Sequence, residues 1–181
     1  IVSARNDSGG NCTGGGYDIT GTNTTYSLCS GTSMAAPHAS GAVILLSQWW
    51  RTFNSGADPS PAMAKALLVN RAVDMAAPDI PNVNEGWGRI NITNVIEPGV
   101  EVVYKDQLTA FDNTGDEWTM SVSIPYPTLP LKLSLAWSDA PGAVGADPAL
   151  VNNLDLEVET DGATYVGNDF AAGWSTTGGS A

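Results

Sequence analysis

The sequence predicts an α/β first half joined to an all-β second half, and three observations carry that reading. An apolar run from Met34 to Trp50 is too long for a strand and reads as a helix buried nearly all round. Beyond Gly99 the apolar period falls to two, the spacing of strands. The charge shifts at the same place. Residues 1–97 hold seven acidic and five basic side chains, and residues 98–181 hold twelve and two. Two domains are therefore expected, 1–97 and 98–181, meeting near Glu97-Pro98-Gly99.

Taken in order, Ile1-Val2-Ser3-Ala4 reads as a buried strand, and residues 6–30 are polar and glycine-rich, a long loop of the kind that is often functional. Pro37 belongs in the first turn of the long helix, where a missing N–H does no harm. Asp58-Pro59-Ser60-Pro61 stops the chain and caps a second helix over Ala62 to Ala72. Asn84 to Arg89 reads as a turn, and Ile90 to Ile96 as a short closing element. Then Val100 to Val102, Trp118 to Ile124, Leu131 to Trp137 and Leu154 to Val158 alternate apolar with polar residues, punctuated by prolines. This is the pattern of a β-sandwich or jelly roll, incomplete at its C-terminal end. Both ends of the sequence lack terminating elements and read as cut from a longer chain.

Composition narrows the function. A net charge of −12, with its seven basic residues scattered singly, excludes nucleic acid and anionic membrane surfaces as natural partners. No run of about 20 apolar residues is present to span a bilayer. The acidic half fits either a solvated surface or Ca²⁺ binding. Cys12 and Cys29 fit either a disulfide closing the loop in a secreted protein or two unpaired thiols. Sequons stand at Asn6, Asn11, Asn23 and Asn91.

The chemistry centres on Ser33. A serine at the start of a helix is most often only a cap. It is also where free N–H groups and the helix dipole stabilise an oxyanion formed beside a nucleophile. A serine needs a base, and the sequence holds one histidine, His38. Five helical residues amount to about 140° of net rotation and ~7.5 Å of rise, so His38 points to another face and reads as a packed or hydrogen-bonded core histidine. An α/β-hydrolase would need a histidine after the serine, and none follows His38. Lys65, Lys105 and Lys132 have no spacing that supports a Ser–Lys dyad. Chymotrypsin-type and subtilisin-type orders place the other triad members before the serine.

Gly31-Thr32-Ser33-Met34-Ala35-Ala36-Pro37-His38, followed by Gly41, resembles the serine-active-site signature of the subtilases. Ser60-Pro61-Ala62 through Leu68 is similar to that family's next helix, and Gly86-Trp87-Gly88-Arg89-Ile90 to the segment that ends its catalytic domain. Leu131 to Pro141 and Leu150 to Leu156 resemble the jelly-roll domain of large bacterial members. The resemblance implies a secreted serine endopeptidase acting on polypeptides, with Ser33 as nucleophile and Thr32 lining the substrate cleft. It implies that the catalytic Asp and His and the oxyanion-hole Asn lie in an N-terminal part of the domain not included in this sequence. The isolated chain is therefore expected to be inactive. Met34 would be oxidation-sensitive if exposed, and is otherwise a packed methionine. The resemblance also implies structural Ca²⁺, with Asp139, Asn153 and Asp155 offering hard oxygen ligands, although Asp and Asn equally serve as turn formers there. The alternative from another class is a non-catalytic binding or structural fragment with a vestigial serine.

Overall fold

The computed structural model describes residues 1–4, 16–17, 26–75, 79–107, 110–125, 128–179 of the chain. They divide into two compact units, Ile1–Leu45 and Leu46–Ala181.

The first unit holds a small antiparallel sheet of β1 (Val2–Ala4), β2 (Gly16–Tyr17) and β3 (Tyr26–Leu28), in the order β1-β3-β2. The pairing sets Val2 opposite Leu28 and Ala4 opposite Tyr26. It continues one step past the strands, where the Ile1 ammonium and carbonyl both bond the backbone of Cys29 at 2.9 Å. A strand is thus present where one was read at residues 1–4, but it is not buried as expected, since Ile1 and Ser3 are exposed. The loop read over residues 6–30 contains the short strands β2 and β3, and most of the rest of it lies outside the described residues.

Helix α1 (Thr32–Arg51) begins in this unit and ends in the second. Two expectations about it are corrected. Pro37 is its sixth residue, not a first-turn residue, so the Ser33 carbonyl loses the helical N–H donor it would otherwise have. Nor is the helix buried all round. It buries one stripe, Ala42, Leu46 and Trp50, spaced four apart, while Ile44 is 68% and Leu45 52% exposed. An all-apolar run states that every face can be buried. It does not state how many faces meet a neighbour, and among the described residues only one does.

In the second unit α2 (Pro61–Asn70) has the start that the sequence predicts. Ser60 is the N-cap, its hydroxyl oxygen accepting the Met63 N–H at 2.9 Å, and Pro61 stands at the first helical position. Met63, Ala64 and Leu67 are buried with Leu46, Trp50 and Val95. Val95 belongs to α3 (Ile92–Ile96), whose cap Asn91 accepts N–H bonds from Thr93 and Asn94. Between the helices, Val73 and Arg89 exchange N–H···O bonds of 2.9 and 2.8 Å, which closes the turn read at 84–89. Gly88 sits there at φ 97, and a Cβ on it would lie 2.6 Å from the Val73 carbonyl oxygen. Only glycine fits.

The β pattern of residues 98–181 is realised at its C-terminal end. Strands β4 (Glu157–Thr160), β5 (Ala163–Ala171) and β6 (Trp174–Thr177) form an antiparallel meander, with an irregularity in β5 between Tyr165 and Phe170 where Asn168 takes φ 65. Two-residue turns with positive φ, Asp161-Gly162 and Ala172-Gly173, join them, as hairpin twist requires. Residues 118–124 and 131–137, read as strands, carry none, and Trp118, Met120, Val122, Leu133 and Leu135 are exposed. A strand needs a ladder partner, and alternation in sequence does not supply one. The boundary expected at 97/98 is bridged by hydrogen bonds from Ser60 to Asp106 and from Asn70 to Lys132 and Ser134, and by Trp87 packing on Phe170.

Candidate functional site

Ser33 stands in the first turn of α1 and is exposed. The loop reaches it through Gly31 at φ 145, a backbone conformation that side chains with a Cβ rarely adopt. The Gly31 carbonyl then accepts both the Met34 N–H at 3.0 Å and the Ala35 N–H at 3.1 Å. Those bonds start the helix. Thr32 and Ser33 precede them, so their own N–H groups have no intrahelical acceptor and lie at the positive end of the dipole. Thr32 is exposed beside Ser33, and Met34 is half-buried. A hydroxyl with a donor-rich backbone around it can hold an oxyanion formed at its own oxygen's target.

Among the described residues, none is hydrogen-bonded to the Ser33 hydroxyl as a base. His38 Nδ1 lies 2.8 Å from the Met34 carbonyl oxygen, one turn back on the same helix, and so serves its own helix rather than Ser33. It is the sequence's single histidine. Of the packed or hydrogen-bonded core histidine expected from the sequence, the hydrogen bond is present and the core placement is not, since His38 is exposed. Four residues before Ser33, Cys29 is disulfide-bonded, and the other cysteine, Cys12, lies outside the described residues. The sequons at Asn6, Asn11 and Asn23 lie outside them as well.

The three residues read as calcium ligands fall into two arrangements. Asp139 gathers N–H donors from Ala140, Val151 and Asn152, together with the Asn152 side-chain amide, at 2.7–3.2 Å. The Val151 N–H foremost, then Asn152 and Ala140, hold its carboxyl below the usual carboxylate range. Asn153 and Asp155 lie side by side, amide to carboxylate, at 3.4 Å. Their donor chemistry, exposed hard oxygens, suits Ca²⁺, whereas both oxygens of Asp139 already accept N–H bonds that tie the 139–140 turn to 151–152.

Sequence reasoning did not single out a trio of carboxylates, Asp74, Asp79 and Glu85, whose oxygens come within 4.8 Å of one another. The Asn82 amide donates to Asp79 at 3.0 Å and to Glu85 at 2.9 Å, drawing the two together. Their wide sequence spacing and lack of a motif hide them. They form a tightly bonded turn.

No curated protein matches the chain. A family model does, over a span that takes in the residues before Ser33, the Ser33 turn, α2 and the glycine turn: residues 8–88 match the model of the Subtilase family, which makes this segment subtilisin-like.

Proposed function

We propose that this chain is the C-terminal part of a secreted subtilisin-like serine endopeptidase. In this reading residues 1–97 belong to the catalytic domain and residues 98–181 to a jelly-roll domain of which part is not included here. The observation that carries the reading is the exposed Ser33 in the first turn of α1, directly after a positive-φ glycine, inside the segment that matches the Subtilase family.

In the whole enzyme Ser33 Oγ attacks a peptide carbonyl carbon as a histidine base takes its proton. The carbonyl electrons move onto oxygen, and the Ser33 backbone N–H is one donor to that oxyanion. Collapse of the intermediate breaks the C–N bond, the histidine gives its proton to the departing amine, and water then hydrolyses the acyl-enzyme. Thr32 lines the cleft beside the reacting carbonyl. The histidine and its orienting Asp come from the N-terminal part of the domain, the partner this chain needs. The disulfide at Cys29 favours an oxidising, extracellular setting. Asn153 and Asp155 would offer hard oxygen ligands to a structural Ca²⁺, which would fix their segment, and Asp139 ties the 139–140 turn to 151–152.

A fluorophosphonate probe tests this. The 181-residue chain alone is expected to leave Ser33 unlabelled and to cleave no peptide, because a triad stripped of its base retains only a small residual rate. Assembled with the upstream polypeptide, it is expected to be labelled at Ser33. Robust labelling of the chain alone overturns the missing base, and a folded whole protein that never labels favours a non-catalytic binding or structural role.

A further inference from the structure

The segment over residues 101–107 follows the boundary expected between the domains, and its burial alternates: Val102, Tyr104 and Asp106 are half-buried while Glu101, Val103, Lys105 and Gln107 are exposed. Two of the inward side chains reach different helices. The Tyr104 ring lies edge-on or tilted to Trp50 at 5.5 Å, Trp49 at 5.9 Å and Phe53 at 6.1 Å, at the C-terminal end of α1. Asp106 receives the Ser60 N–H at 2.9 Å and the Ser60 hydroxyl at 2.5 Å. Ser60 is itself only 6% exposed and its oxygen accepts the Met63 N–H. The start of α2 is therefore capped by a two-residue relay in which the charge comes from the other side of the boundary. The far end of α2 is held from the same side. The Asn70 amide donates to the Lys132 carbonyl at 3.2 Å and to the Ser134 hydroxyl at 3.1 Å.

We propose that Tyr104 and Asp106 form a two-point buckle across the end of α1 and the start of α2, which makes the region after residue 98 a clamp on the helices rather than a separately folding module. This holds whatever chemistry Ser33 performs. An accessory domain on a linker leaves its neighbour's helix caps intact when it moves; here the cap of α2 is completed by the second region and would be lost with it.

Urea unfolding of the full chain, followed by far-UV circular dichroism for the helices and by tryptophan fluorescence, reads this directly. Coincident transitions are expected for the unaltered chain, and two separated transitions would overturn the clamp without any variant being made. Asp106→Asn is expected to raise the unfolding constant about tenfold, the scale of a charge-assisted bond to a nearly buried hydroxyl. Asp106→Asn and Ser60→Ala together should fall well short of the product of their separate factors, because each removes the same relay. Factors that simply multiply would overturn the coupling. Limited proteolysis near residues 98–100 gives a further reading: the cut pieces should stay associated, and release of a separately eluting C-terminal fragment from a still-helical remainder would refute the proposal.

Discussion

The two parts of α1 differ in composition and in fate. From Leu46 to Arg51 the helix is anchored: Leu46 is fully buried, Trp50 nearly so, and the Trp49, Trp50, Phe53 and Tyr104 rings pack within 4.7–6.2 Å of one another. From Thr32 to Leu45 a stretch rich in small residues and without an aromatic buries only Ala42, carries a proline in its second turn, and has the exposed Ser33 in its first. One part is anchored among aromatic rings and the other carries the exposed Ser33. The exposed part begins with under-bonded backbone, with N–H groups lacking intrahelical acceptors at one side and a carbonyl without its donor at the other.

Truncation tests the contrast most severely. Leu46→Ala is expected to cost about 3–5 kcal/mol in urea unfolding, through lost burial and the cavity left behind, while Ile44→Ala two residues earlier should cost less than about 1 kcal/mol. Equal losses would erase the difference between the halves. Gly88→Ala should cost about 2 kcal/mol or more, since it combines a positive-φ penalty with a carbonyl oxygen 2.6 Å from the new carbon. The loss should appear in the anchored half's unfolding and leave exchange of the α1 amides near Ser33 unchanged. Pro37→Ala should act in the opposite sense. It returns the N–H that the Ser33 carbonyl lacks, worth about 3 kcal/mol, less up to about 1 kcal/mol from the freer unfolded chain, and slows hydrogen exchange in the first half of α1.

The smallest expected effect is that of Arg51 and Asp58, an exposed pair at 2.7 Å. The Arg51 hydrogen bond holds the Asp58 carboxyl below its usual range. A carboxyl depressed in the fold adds stability above its unfolded pKa and loses it as pH falls through the folded one. Asp58→Asn should therefore remove a slight stabilisation seen at neutral pH, absent in strong acid and suppressed by salt. A loss that persists in acid would show that the pair matters for some reason other than charge.

What the sequence made legible was what short-range chemistry dictates. The Ser60-Pro61 cap, the glycine turn at 86–88 and the placing of Ser33 at a helix start follow from rules that act within a few residues, and each is present. The burial of α1 was not legible, because hydrophobicity records what a face tolerates and not what comes to cover it. The strands read at 118–124 and 131–137 failed in the same way, since their pairing depends on distant partners. The hairpins that join β4, β5 and β6 were missed despite a local signal. Asp161-Gly162, flanked by Val, Glu, Thr and Tyr, is a two-residue hairpin signature. The carboxylate trio and the Asp106 relay lay beyond reading because their members are brought together by turns and by long-range closure.

That meander also has a consequence in time. Its 21 residues, 157–177, make every pairing with a near neighbour along the chain through turns of two residues, whereas Ser60 must find Asp106 across 46 positions and Asn70 must find Ser134 across 64. Hairpins form in about 1–10 μs, and distant closures wait on a larger search. The pairings within the meander thus close over a short search, and the bonds that tie α2 to Asp106 and to residues 132–134 over a long one.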